Sequence, residues 1–143
     1  MKKIVSIKLE SRQLDSDRQT QVTRSEHQGS WYRQDGHDYL IFRDAEGIQT
    51  TLKMATDEWR LFRRGPNLES WQVFRQGKSV PSELTLMGSM LPLLTYTKRL
   101  DRIEIPSGAE LQLEYDLYSD SALLGNFTLI LHLTIIGEEP AHA

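Results

Sequence analysis

Apolar and polar residues alternate with a period of two along most of this chain, and no stretch longer than a turn repeats every 3.6 residues. The alternation predicts strands at about 3–11, 20–28, 30–34, 37–44, 48–55, 58–64, 70–75, 78–86, 93–105, 109–118 and 127–136. The clearest is 109–118, with Leu111, Leu113, Tyr115 and Leu117 on one face and Gln112, Glu114 and Asp116 on the other. Segment 20–28 is unusually polar and reads as an edge strand or a partly frayed one. Compact turns separate the strands between Trp31 and Leu86: Asp35-Gly36, Ala45-Glu46-Gly47, Thr56-Asp57, a five-residue loop from Gly65 to Glu69, and Gln76-Gly77. Turns this short fix register, because an Asp-Gly pair sets its neighbours opposite each other and a closing glycine supplies the left-handed residue. Counting across them aligns Trp31 with Leu40, Leu40 with Leu52, Leu52 with Leu61, Leu61 with Val73, and Val73 with Val80. That is one apolar row over six strands. A meander of this kind twists and closes into a barrel. Gly88 to Pro92 interrupts the pattern, and the residues after Gly137 read as a tail. The expected organisation is a β-barrel domain over 1–137 and a disordered tail over 138–143.

Composition narrows the class without changing it. The chain has 143 residues, 38% of them hydrophobic, and a net charge of −3, which fits one domain built from sheet with a single dry face. It has no cysteine, so neither a disulfide nor a thiolate metal site can form. The apolar run after Met1-Lys2-Lys3 is too short for a signal peptide, and no segment approaches membrane-spanning length. A cytoplasmic protein without membrane insertion is the expectation. Charge is uneven, however. Arg60, Arg63, Arg64, Arg75 and Lys78 face only Glu69 between Trp59 and Lys78, whereas beyond Asp101 the acids are opposed by Arg102 alone. Such blocks usually form solvated outer faces, and nucleic-acid binding is not expected of an acidic chain without a recognition motif.

Catalytic and metal motifs fail on spacing. His27, His37, His132 and His142 never stand at ligand spacing, and surface positions are expected for them. No Gly-x-Ser-x-Gly elbow is present, and the glycine turns join strands rather than opening a helix, so no phosphate-cradling loop is expected. Glu114 and Asp116 share a face, but it lies opposite Leu113 and Tyr115 and should be wet. No enzyme activity, cofactor or metal is therefore expected.

One group of residues stands out. Counting across the 65–69 loop sets Arg63 opposite Trp71 and Trp59 opposite Arg75, which turns both arginines toward the apolar row. A buried guanidinium needs a partner. Packing on the Trp rings near the barrel mouths supplies one, worth about 1 kcal/mol each, and Asp38 opposite Arg33 could complete a rim network. The sharper alternative is an anionic head group held by Arg63 or Arg75, with its apolar part among Trp59, Trp71, Leu61 and Leu52.

Gly29, Arg64-Gly65, Phe74 with Gly77, Gly88, Thr95-Tyr96-Thr97-Lys98, Tyr115 and Asn126-Phe127-Thr128 follow an order that resembles the YwiB-like family of uncharacterised bacterial proteins. The resemblance spans nearly the whole chain. It implies a calycin-like, lipocalin-type barrel of about eight antiparallel strands and brings no established activity. Two functions remain open: a barrel that binds a small anionic amphiphile or hydrophobic ligand, and a protein-interaction module that uses its outer basic surface.

Overall fold

A computed structural model describes residues 2–15 and 17–139, and every regular element in it is a strand. In chain order they are β1 (Lys2–Leu14), β2 (Thr20–Gln34), β3 (His37–Arg43), β4 (Gln49–Met54), β5 (Trp59–Gly65), β6 (Leu68–Phe74), β7 (Ser79–Leu86), β8 (Ser89–Ile105), β9 (Gly108–Ser119) and β10 (Ala122–Glu139). Each is antiparallel to its neighbour, and β10 returns to β1, closing a ten-stranded barrel rather than one of eight. No helix is long and apolar enough to cross a membrane.

Turn chemistry accounts for the count. Asp35-Gly36, Met87-Gly88 and Asp120-Ser121 each hold two consecutive residues at positive φ, the mirror-image turn that matches strand twist in a two-residue hairpin. Met87-Gly88 is therefore a hairpin turn, and β8 starts at Ser89 and runs straight through Pro92, where an interruption was expected. The segments 20–28 and 30–34 are one strand of 15 residues. It passes through Gly29, where an added Cβ would stand 2.4 Å from the Ile41 carbonyl oxygen and 3.0 Å from Phe42 Cβ. There β2 gains β3 as a second neighbour; Thr20–Gln28 pairs with β1 alone, the edge position its polarity suggested. At the other end Glu138 and Glu139 remain in the ladder opposite Lys3 and Lys2, so the tail expected over 138–143 does not begin at 138; residues 140–143 lie outside the described ones.

The apolar row holds as far as β5. Trp31 faces Leu40, Leu40 faces Leu52 and Leu52 faces Leu61. It then departs by one residue. Gly65 faces Leu68 across a two-residue Pro66-Asn67 turn, so Leu61 meets Gln72, and Val73 meets Arg60. The β6–β7 ladder ends at Trp71 opposite Glu83, without a Val73–Val80 pair. The sequence permits either register, since Val73 and Phe74 are both apolar. The adopted one buries the larger side chain: Phe74 is fully inaccessible and packs on Tyr115 with ring centres 5.0 Å apart. Proline pre-set for the first turn position favours the tight closure over a five-residue loop.

Inside, Ile7, Leu40, Leu111, Leu113 and Leu133 are fully or almost fully buried and fill the barrel together with Trp31. The register makes a direct prediction for this cysteine-free chain. Cysteines at 61 and 72 should crosslink on mild oxidation, while cysteines at 61 and 73, leaving opposite faces, should not. Preferential crosslinking of the second pair would show the β5–β6 register to be wrong.

Candidate functional site inside the barrel

Four of the six residues singled out from sequence point inward. Leu52 and Trp59 are buried in the core, Leu61 is half-buried against it, and Arg63 is half-buried one step further along β5. Trp71 and Arg75 do not join them. The one-residue shift turns Trp71 outward beside Phe62, where it is 37% exposed, and leaves Arg75 on the surface with its Nε 2.7 Å from Glu58. The expected Arg63–Trp71 and Trp59–Arg75 pairs therefore do not form; Arg63 faces Ser70 and Trp59 faces Phe74.

Three arginines of the outer basic block are paired, whereas exposed Lys78 has no ion pair among the described residues. Glu58 accepts from Arg60 at 2.8 Å as well as from Arg75, and Arg64 reaches Glu69 at 3.3 Å. These contacts, the Arg60 hydrogen bond foremost, hold the Glu58 carboxyl below the usual carboxylate range. Asp38 faces Arg33, as counted, and Met54 on its other side, but its ionic partner is Arg102 from β8, whose guanidinium also lies 5.5 Å from the Trp31 ring centre. This pair lies at one end of the barrel and lines a cavity of about 220 Å³ together with Arg33, Met54, Trp59 and Leu100. Two other expectations change. Asp116, expected to be wet, is 7% exposed, paired with Lys98 at 3.2 Å and hydrogen-bonded to Asn126. His27, expected at the surface, is half-buried and stacks on Phe42 because Ile7, directly opposite, fixes its inward parity.

The register shift leaves a polar wall inside the barrel. Thr50, Arg63 and Ser70 stand directly opposite one another across β4, β5 and β6. Ser70 and Gln72 share the inward face of β6. Gln72 Nε2 donates to Thr95 Oγ1 at 3.5 Å, and Thr95 shares a 2.7 Å hydrogen bond with Ser82. Beside them Thr97 Oγ1 is buried with no hydrogen-bond partner. Tyr115 faces Thr97 and lies between the rings of Phe74 and Phe127. Burial pushes its phenol up to about 12, against the opposing effects of the Gln72 hydrogen bond and the Arg63 charge, so it is a neutral hydroxyl at ordinary pH.

Among the described residues no carboxylate lies within ion-pair distance of Arg63, and the inward positions of β4, β5, β6 and β7 contain no acid. Nor do three His, Asp or Glu side chains come together there as a metal site. Sequence reasoning missed the wall because it tracked apolar alternation. The available signal was the hydroxyls at alternate positions of Thr95-Tyr96-Thr97 and at Ser82.

The family described as Domain of unknown function (DUF1934) matches residues 7–131. Among solved structures, the crystal structure of ywiB protein from Bacillus subtilis superposes with a TM-score of 0.77 at 20% identity, over 96% of this chain and 94% of that one. None of the curated proteins matches the chain.

The outer ion pairs make a pH prediction. With its folded pKa depressed, Glu58 contributes stability above the ordinary carboxylate value of 4.5 and loses it as pH falls through the lower, folded value. Glu58→Gln should lower the melting temperature by about 3 °C at pH 7. The gap from the parent should close below the carboxylate range. A gap independent of pH would mean that packing, not charge, holds the Arg60–Glu58–Arg75 group.

Proposed function

We propose, for a chain that belongs to the DUF1934 family of unknown function, that it is a non-catalytic, calycin-like barrel that takes a compact organic anion into its interior at Arg63. One observation supports the reading above the others. Two arginines are half-buried inside the barrel; Arg102 has Asp38, and Arg63 has no acid. An uncompensated guanidinium in a partly dehydrated setting is costly, and an anion arriving from solution offsets that cost.

The surroundings suit a small ligand with a polar and an apolar side. Thr50, Ser70 and Gln72 line the wall around Arg63, and Leu61, Phe127 and Leu129 supply half-buried apolar surface packed on the core. The interaction-module reading rests on an outer surface where Arg60, Arg64 and Arg75 already have Glu58 and Glu69 as partners, so it is the second reading.

Titration with anilinonaphthalene sulfonate or decanoate should change tryptophan fluorescence saturably. Arg63→Ala should weaken that binding by about 1.5–3 kcal/mol, the scale of a hydrogen bond to a charged group. Arg64→Ala and Arg75→Ala, on the outer face, should produce only a small change that salt removes. Equal effects from all three substitutions, or no saturable binding, would contradict the proposal.

A further inference from the structure

The residues flanking Arg63 distinguish one kind of anion from another. Thr50 and Ser70 are its direct cross-strand neighbours on either side, and both side chains turn inward with it. Thr50 is 8% exposed, yet among the described residues its hydroxyl is not an orphaned buried group, and neither it nor Ser70 is engaged by another side chain. Strands are about 4.8 Å apart, so a hydroxyl is rooted one strand spacing from the Arg63 backbone on each side. On the concave inner face of a barrel such neighbours converge. All three side chains can donate and none is an acid.

We infer that the head group bound at Arg63 is a tetrahedral oxyanion, a sulfonate or a sulfate or phosphate ester, in preference to a carboxylate. The inference rests on the lumen reading above. A guanidinium fork takes two oxygens in its own plane. A carboxylate has no third oxygen, and the lone pairs it keeps lie in the plane of the fork. A tetrahedral head keeps another oxygen out of the fork plane, where Thr50 or Ser70 can donate to it. The wall beside Arg63 continues with Ser70, Gln72 and Thr95, so the first atoms beyond the head group also meet polar partners.

Benzoate and benzenesulfonate test this cleanly, since they share a ring and a single negative charge and differ only in the head. In NMR titrations of the full chain, benzenesulfonate should bind about tenfold more tightly, the effect of one further hydrogen bond to a charged group. The double variant Thr50→Val, Ser70→Ala should bring benzenesulfonate to the affinity of benzoate and leave benzoate unchanged, whereas Thr50→Ser should keep the preference. Phenyl sulfate and phenyl phosphate, compared in the same way, tell which ester is favoured. Equal binding of benzoate and benzenesulfonate by the parent protein overturns the inference while the lumen reading stands, provided Arg63→Ala weakens both. Equal loss of both probes in the double variant does the same. Absence of binding by every probe, or binding indifferent to Arg63→Ala, overturns the lumen reading and this inference together.

Discussion

Gly65 and Leu68 face each other across Pro66 and Asn67, and the parity of β6 is settled at that closure. Side chains alternate with a period of two, so a turn longer or shorter by one residue exchanges the two faces of the strand that follows. Here the tight turn sends Ser70, Gln72 and Phe74 inward and Trp71 outward. Gly65 itself points toward Ile48, where an added Cβ would lie 2.9 Å from Ile48 Cγ1, so side-chain bulk at this position would press on β4's approach to β5. The polar wall, the place of Phe74 against Tyr115 and the exposure of Trp71 all follow from that one register.

Electrostatics divides along the same two faces. Outside, cations meet acids: Arg60 and Arg75 on Glu58, Arg64 on Glu69, Lys98 on Asp116. The more exposed of these pairs, such as Arg64–Glu69, contribute little individually, but together the pairs lower the charge the surface offers to a partner. Inside, the two ends of the barrel differ. Arg102 and Asp38 neutralise each other at the end where Trp31 and Trp59 pack. At Arg63 there is a cation, hydroxyls and an amide, with no acid among the inward positions of the adjoining strands. That asymmetry separates a rim whose charges pair with each other from a wall that lacks a counter-ion.

Much of this was legible from alternation and turns. Trp31, Leu40, Leu52 and Leu61 align as counted because the turns between them, Asp35-Gly36, one closed by Gly47, and Thr56-Asp57, are all short enough to fix register. The count failed where the sequence permits two answers: Val73 and Phe74 are both apolar, and 65–69 can be one long loop or a Pro-Asn turn with Gly65, Leu68 and Glu69 returned to the strands. Burial of the larger Phe74 decides it, a tertiary effect invisible in local pattern. The same error displaced Trp71 and Arg75 from the site while leaving Arg63 in it, since β5 takes its parity from β4. Arg102 was out of reach for a different reason. It meets Asp38 across 64 residues of chain, a pairing that no turn count can supply.

The central claim is that Arg63 is an accessible cation inside the barrel, awaiting an anion. Crystals soaked in iodide measure this most directly, because anomalous scattering locates each bound ion independently of any assumed ligand. The account predicts an iodide inside the barrel in contact with Arg63 and near Thr50 and Ser70, absent from Arg63→Ala crystals. Iodide found only at outer arginines, with the Arg63 guanidinium folded out to solvent or against a carboxylate, would contradict it.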